Sequence, residues 1–132
     1  MPNLENAAWE AVYPDGWSAE HTDDSVVLYD SEAEVGTAQV SCICADEPVT
    51  HEDLLDLAAE LIDEGKRHTD VEIGGKWGIM FRYYDGDQSW KEWFLAAGNC
   101  AFYVTYDCPR EGEGVEDEEV AQILESLAVT GQ

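Results

Sequence analysis

The sequence predicts an α+β fold: an antiparallel sheet of about six strands packed against two helices. Three observations carry this. The stretch Lys76–Tyr106 holds Trp77, Trp90 and Trp93 in three short aromatic runs split by Asp85-Gly86-Asp87 and Gly98-Asn99, the pattern of a three-strand meander. Gly36–Cys44 alternates Ala38, Val40, Cys42 and Cys44 with Thr37, Gln39, Ser41 and Ile43, the period of two expected of a half-buried strand. Two segments, near 51–64 and 116–128, instead space their apolar residues three and four apart, as helices with one buried stripe do.

Taken in order, residues 1–8 are polar and expected to fray. Trp9–Tyr13 is either one helical turn or a short extended segment, ended by Pro14-Asp15-Gly16. Trp17–Thr22 and Ser25–Tyr29 are joined by Asp23-Asp24 at hairpin spacing, and a loop over 30–35 leads to the strand Gly36–Cys44. After Asp46-Glu47-Pro48, Thr50 is placed as N-cap with Asp53 at the capping-box position. The helix His51–Glu64 then carries Leu54, Leu57, Ala58, Leu61 and Ile62 on one side, and Gly65 stops it with Lys66 and Arg67 beside the negative end of its dipole. Val71 and Ile73 alternate briefly and extend or pair with the next strand. Cys108-Pro109 ends the last strand, 110–114 is an acidic turn, and the helix Glu116–Ala128 buries Val120, Ile123, Leu124 and Leu127. The order βββαβββα contains no linker, so a single domain over 1–132 is expected.

Turn lengths sort the meander into two faces, because side chains alternate along a strand. With Asp85-Gly86-Asp87 as a three-residue loop, Tyr84 pairs with Gln88 and Arg82 faces Trp90. A two-residue Gly98-Asn99 turn pairs Ala97 with Cys100 and Phe94 with Tyr103. One face then gathers Trp77, Ile79, Phe81, Tyr83, Trp93, Leu95, Phe102 and Val104, with Lys91 out of place, and is expected beneath both helices. The other gathers Met80, Arg82, Tyr84, Trp90, Glu92, Phe94, Tyr103 and Thr105. That second face is covered by the chain's own segment around Trp9, left partly open, or covered by a ligand or partner. Arg82, Tyr84, Trp90, Glu92, Phe94 and Tyr103 are therefore the candidate binding surface.

Six Lys and Arg stand against 30 Asp and Glu in 132 residues, a formal charge of −24. Such a surface repels phosphate, which argues against nucleic acid and anionic membrane as partners. Three sources of the charge stay open: a salt-adapted proteome, long-range attraction to a basic partner, or plain solubility. Asp56, Glu60, Asp63, Glu118 and Glu119, on the helices' acidic faces, form a secondary candidate surface. No apolar run approaches a membrane span and the N-terminal residues lack a signal-peptide pattern, so a cytoplasmic protein with four reduced cysteines is expected.

Motifs for chemistry are missing. His21, His51 and His68 have no ligand spacing, and Cys42-x-Cys44 is tighter than the two to four intervening residues zinc favours, so both thiols are expected to act as buried small hydrophobes. Cys100 and Cys108 sit too far apart along one strand to bond each other. No serine elbow is present, and Gly74-Gly75 precedes a strand rather than a helix. No catalytic residue, metal ligand or cofactor site is predicted.

The opening YPDGW with its short strands, the middle helix, the meander GIMFRYYDGDQSWKEWFLAAGNCAFYVTYDC and the closing helix VAQILESL, in that order over 9–129, resemble the Mog1/PsbP-like (DcrB-related) superfamily. The resemblance implies an α/β/α sandwich with an antiparallel sheet. Members are associated with small-GTPase binding, photosystem assembly and chaperoning of secreted effectors, which implies a binding role and transfers no catalytic residue. The expected function is a non-catalytic protein-binding domain: an adaptor, chaperone or toxin-neutralising partner. The partner is expected to be a protein, with a basic one or a second copy of the chain both open. The alternative is a small-molecule or lipid binder with an apolar pocket between sheet and N-terminal segment, and an acidic hydrolase-like enzyme ranks third.

Overall fold

A computed structural model describes residues 3–5, 9–22, 25–33 and 35–129. In order these form β1 (Asn3–Glu5), β2 (Trp9–Val12), β3 (Trp17–His21), β4 (Val26–Asp30), β5 (Thr37–Cys44), helices α1 (His51–Leu57) and α2 (Ala59–Asp63), β6 (His68–Ile73), β7 (Lys76–Asp85), β8 (Gln88–Ala97), β9 (Cys100–Pro109), α3 (Asp117–Ser126) and β10 (Ala128–Val129). Seven strands make one antiparallel sheet in the order β3-β4-β5-β9-β8-β7-β6, two meanders joined where β5 pairs with β9. A small second sheet is β1-β2-β10. The α+β class and the two meanders are those the sequence predicts, with the Val71–Ile73 alternation supplying the seventh strand, β6, paired to β7.

Local chemistry explains most boundaries. Trp9 and Ala11 are buried while Glu10 is exposed, and this period of two makes the Trp9 segment a strand rather than a helical turn. Residues 3–5, inside the stretch expected to fray, pair with it. Residues 1, 2 and 6–8 lie outside the described residues, as does the Asp23-Asp24 turn, whose strands pair from Trp17–Asp30 to His21–Val26. At α1 both halves of the capping box form: Asp53 N–H donates to Thr50 Oγ1 (3.1 Å) and Thr50 N–H to Asp53 Oδ2 (2.9 Å). Gly65, with φ of +87°, closes α2.

The single helix expected over 51–64 is in fact two, broken at Ala58 (φ −92°, ψ 10°). Leu54, Ala58 and Leu61 pack on the sheet, but Leu57 and Ile62 are 44% and 37% exposed. The five-residue stripe is wider than one helix–sheet contact can cover, and the sheet takes only its centre line.

A second correction concerns register. Gly86-Asp87 is a two-residue turn, with Gly86 at φ +60°, so Asp85 pairs with Gln88, Tyr83 with Trp90 and Arg82 with Lys91. A tight hairpin favours glycine at the position needing positive φ, and the one-residue slip carries every β7 side chain to the opposite face. The β8–β9 register is the expected one. Gly78 fits this pairing closely, since a Cβ there would overlap the Phe94 carbonyl of the neighbouring strand.

The helices consequently lie on opposite faces. Trp93, Leu95, Phe102 and Val104 meet Val120, Ile123, Leu124 and Leu127 of the α3 segment, together with Trp9 and Ala11 of β2. Ile79, Phe81, Phe94, Ala96 and Ala101 meet Leu54, Ala58 and Leu61 of α1 and α2. This is an α/β/α arrangement in which β8 and β9 are packed on both sides, so the expectation that both helices share one face is corrected.

Candidate functional site

The β7–β8 register pairs Tyr83 with Trp90, and the β8–β9 register pairs Phe94 with Tyr103, diagonal to Glu92, all on the face that α1 and α2 cover. Glu92 is 5% exposed, and its two carboxylate oxygens accept hydrogen bonds from the hydroxyls of Tyr83 and Tyr103, one each. A buried carboxylate is tolerated only when its oxygens are bonded, and two hydroxyls satisfy this one. Burial, then the bond to Glu92, raise both tyrosines above the ordinary phenol value. Both phenols thus stay protonated near neutral pH and donate to Glu92, which makes the trio a polar clamp.

Around the clamp the rings are ordered. Tyr83 stacks parallel to Trp90 (centroids 6.3 Å apart, planes at 5°), and Tyr103 stacks on Phe94 (4.8 Å, 17°). The Lys66 ammonium stands 4.7 Å over the Tyr83 ring and 3.8 Å from Glu64. A cleft of about 240 Å³ opens between sheet and helices here, walled by Leu61, Tyr83, Phe94 and Tyr103 and rimmed by Leu57, Glu60 and Glu64.

Of the predicted surface, Trp90, Glu92, Phe94 and Tyr103 therefore share one face, and Glu60 of the acidic set joins them at the rim. Arg82 and Tyr84 do not: both are exposed and lie on the α3 side. Tyr84 donates to Glu113 Oε1 (2.8 Å) and carries the Arg110 guanidinium 4.1 Å over its ring. Asp56 and Asp63 are exposed on α1 and α2, and Glu118 is exposed on α3. Glu119 is only half-exposed, with Oε2 buried and unbonded among the described residues, so it is not the freely solvated group expected opposite the stripe. Tyr83 was assigned to the core by the slipped register. The glycine of a two-residue turn was the signal that could have placed it in the site.

The α3 face has its own groove, about 270 Å³, between the β6–β7 edge and α3. Val71, Ile73, Met80, Trp93, Val120 and Leu124 form apolar walls, and Arg82, Lys91 and Asp117 the polar end. Lys91, 9% exposed, bonds Asp117 Oδ1 at 2.8 Å.

The cysteines depart from expectation. Cys44 and Cys100, directly opposite on β5 and β9, form a disulfide, while Cys42 and Cys108 are free thiols. Cross-strand pairing brings the two sulfurs together, a proximity that spacing along the chain does not reveal. Cys42 is half-buried and Cys44 exposed where β5 runs past the core, rather than both being interior. Burial pushes the Cys42 thiol up to about 11.

No protein-family model and no curated protein matches the chain. Solved structures do. A crystal structure from Bacteroides thetaiotaomicron superposes with a TM-score of 0.70 at 17% identity, covering 94% of this chain, which spans only 46% of that one. The solution structure of cyanobacterial PsbP (CyanoP) from Synechocystis gives 0.63 at 11% identity, over 97% of this chain and 91% of that one. LpqN, involved in cell envelope biogenesis of Mycobacterium tuberculosis, gives 0.58 at 15%, over 93% and 83%. The chain has the PsbP-like fold. No helix among the described residues is long and apolar enough to cross a membrane.

Proposed function

We propose that this PsbP-like chain is a non-catalytic binding domain that docks a protein partner, through basic side chains, on the tyrosine cleft beneath α1 and α2. The observation carrying this reading is the clamp: Tyr83 and Tyr103 are half-buried rings bonded to a buried Glu92, Trp90 stacks behind Tyr83, and Glu60 and Glu64 stand at the rim of the cleft. Pre-ordered aromatics lose little freedom when a partner binds, and they are the side chains that carry most energy at interfaces. A lysine or arginine entering the cleft meets the Glu60 and Glu64 carboxylates beside the tyrosine rings. The net charge of −24 adds long-range attraction for such a partner. Affinity capture with the wild-type chain and with Trp90→Ala and Tyr103→Ala tests the reading. A partner retained by wild type, weakened by added salt and lost by both folded variants is expected. Retention by both variants overturns it.

One observation favours a second reading, a small amphiphile in the α3-side groove. Its walls are apolar, two of the chain's six cations stand at its polar end, and its volume of about 270 Å³ falls just below the range of drug-sized pockets, about 300–1,000 Å³. It lies against α3, not against the N-terminal segment where the sequence placed such a pocket. Quenching of Trp93 by a medium-chain carboxylate, abolished in Arg82→Ala, would favour this reading over the first.

A further inference from the structure

We propose that Cys42, Cys44 and Cys100, once the Cys44–Cys100 bond is reduced, form a three-thiolate site for a soft d10 metal cation such as Cu(I). Among the described residues these three are the one group of potential ligands drawn together closely enough to share an ion, with all three sulfurs within 4.8 Å of one another. They come from both strands at the junction of the two meanders: Cys42 and Cys44 two residues apart on β5, and Cys100 opposite Cys44 on β9. The sheet therefore sets the triangle without any loop having to order.

The dimensions suit such an ion. Metal–thiolate bonds of about 2.3 Å in a trigonal plane place sulfurs about 4.0 Å apart. Cys42 Sγ and Cys44 Sγ are 3.9 Å apart. Opening the disulfide lets Cys100 Sγ withdraw from its bonded partner toward the same spacing. Ligand type decides the class of ion. Three sulfurs without an imidazole favour a thiophilic cation that accepts three-coordination, whereas structural zinc wants a fourth protein ligand. Cys108 belongs to the other end of β9, beside Ser89, and stays outside the site.

Reduction and binding balance simply. A dithiol or phosphine reductant supplies two electrons, and two protons complete the Cys44 and Cys100 thiols. The metal then displaces three protons from the three thiols. Oxidation to the disulfide removes two of the three ligands, so the bonded form cannot hold the ion. Reductant thus gates the site.

Cadmium(II) titrated into the phosphine-reduced 132-residue chain tests this, read by thiolate-to-metal charge-transfer absorption, with Cu(I) added afterwards as competitor. One equivalent of cadmium, displaced by one of Cu(I), is expected. Cys42→Ser and Cys44→Ser should each weaken binding at least tenfold, with Cys108→Ser unchanged and the unreduced chain giving no band. Cys44 is exposed, so its variant tests the site without disturbing the core. Absence of the band in the reduced chain overturns the proposal, as does undiminished binding in either variant or an equal band in the unreduced chain.

Discussion

On the α3 face of the sheet, the buried polar groups tie helix to sheet. Glu116, next to the start of α3, accepts from the Tyr106 hydroxyl (2.6 Å) and the Gly36 N–H (3.1 Å). Lys76 of β7 donates to the Leu127 carbonyl just past the end of α3 (2.9 Å), and Lys91 holds Asp117. On the α1–α2 face the buried carboxylate, Glu92, spends both oxygens on tyrosines of the sheet itself, and the helices dock on Leu54, Ala58 and Leu61. α3 is tied to the sheet at both ends, with a groove at its side that closes on the Lys91–Asp117 pair. The α1–α2 pair is broken at Ala58 and leaves a cleft with its polar groups already satisfied. The contrast is between a helix tied to the sheet by buried polar bonds and a helix pair docked on it by apolar side chains.

Truncations across the two helices should expose that contrast most strongly. Leu124→Ala, in the α3 core at 3% exposure, should cost about 3–5 kcal/mol of stability in denaturant unfolding, while Leu61→Ala, at 9%, should stay near about 2 kcal/mol. Equal losses would erase the distinction. Next in size, Glu92→Leu leaves two tyrosine hydroxyls without their acceptor and should cost about 2–4 kcal/mol. Adding Tyr83→Phe and Tyr103→Phe should recover most of it, because removing both partners of a bond is far cheaper than removing one. A triple variant no better than the single one would show that the clamp is not the source of the loss.

Alkaline pH sharpens the same point. Tyr83, Tyr103 and Tyr106 are all raised in the folded state by burial first and then by their carboxylate partners. The unfolded chain therefore releases these protons first, at about pH 10, and the folded state gives them up only at higher pH. Their contribution is whole below pH 10 and lost above it, by about 1.4 kcal/mol per pH unit for each tyrosine. Unfolding midpoints measured from pH 8 to 11 should fall more steeply in wild type than in Tyr103→Phe. The smallest effect belongs to Asp117→Asn, whose exposed carboxylate pairs with Lys91; up to about 1 kcal/mol, reduced by salt, is expected from the same unfolding curves.

Much of this architecture was legible from periodicity and caps. Thr50 and Asp53, Gly65, the β5 alternation and the Val120–Leu127 stripe are local signals, and each appears where its chemistry puts it. The site was only half legible. Trp90, Glu92, Phe94 and Tyr103 sit on strands whose mutual register depends on the Gly98-Asn99 turn, which has the two-residue length expected. Arg82, Tyr83 and Tyr84 take the faces opposite to those expected, because one residue more or less in the Asp85–Asp87 turn exchanges faces for an entire strand, and both faces of β7 carry apolar residues. The Cys44–Cys100 pair depends on which strands become neighbours across 56 residues, and no local pattern encodes that.

The proposed function requires that the cleft on the α1–α2 side, rather than acidity in general, draws the partner. Two double reversals of equal charge separate these: Glu60→Lys/Glu64→Lys at the cleft, and Glu118→Lys/Glu125→Lys on the exposed side of α3. Each changes the formal charge by the same amount, from −24 to −24 + 4 = −20. With the captured partner's affinity measured at one ionic strength, the cleft pair should lose binding by at least tenfold while the α3 pair stays within about twofold of wild type. Equal losses from the two pairs would mean that net charge, not the tyrosine cleft, draws the partner, and would contradict the account.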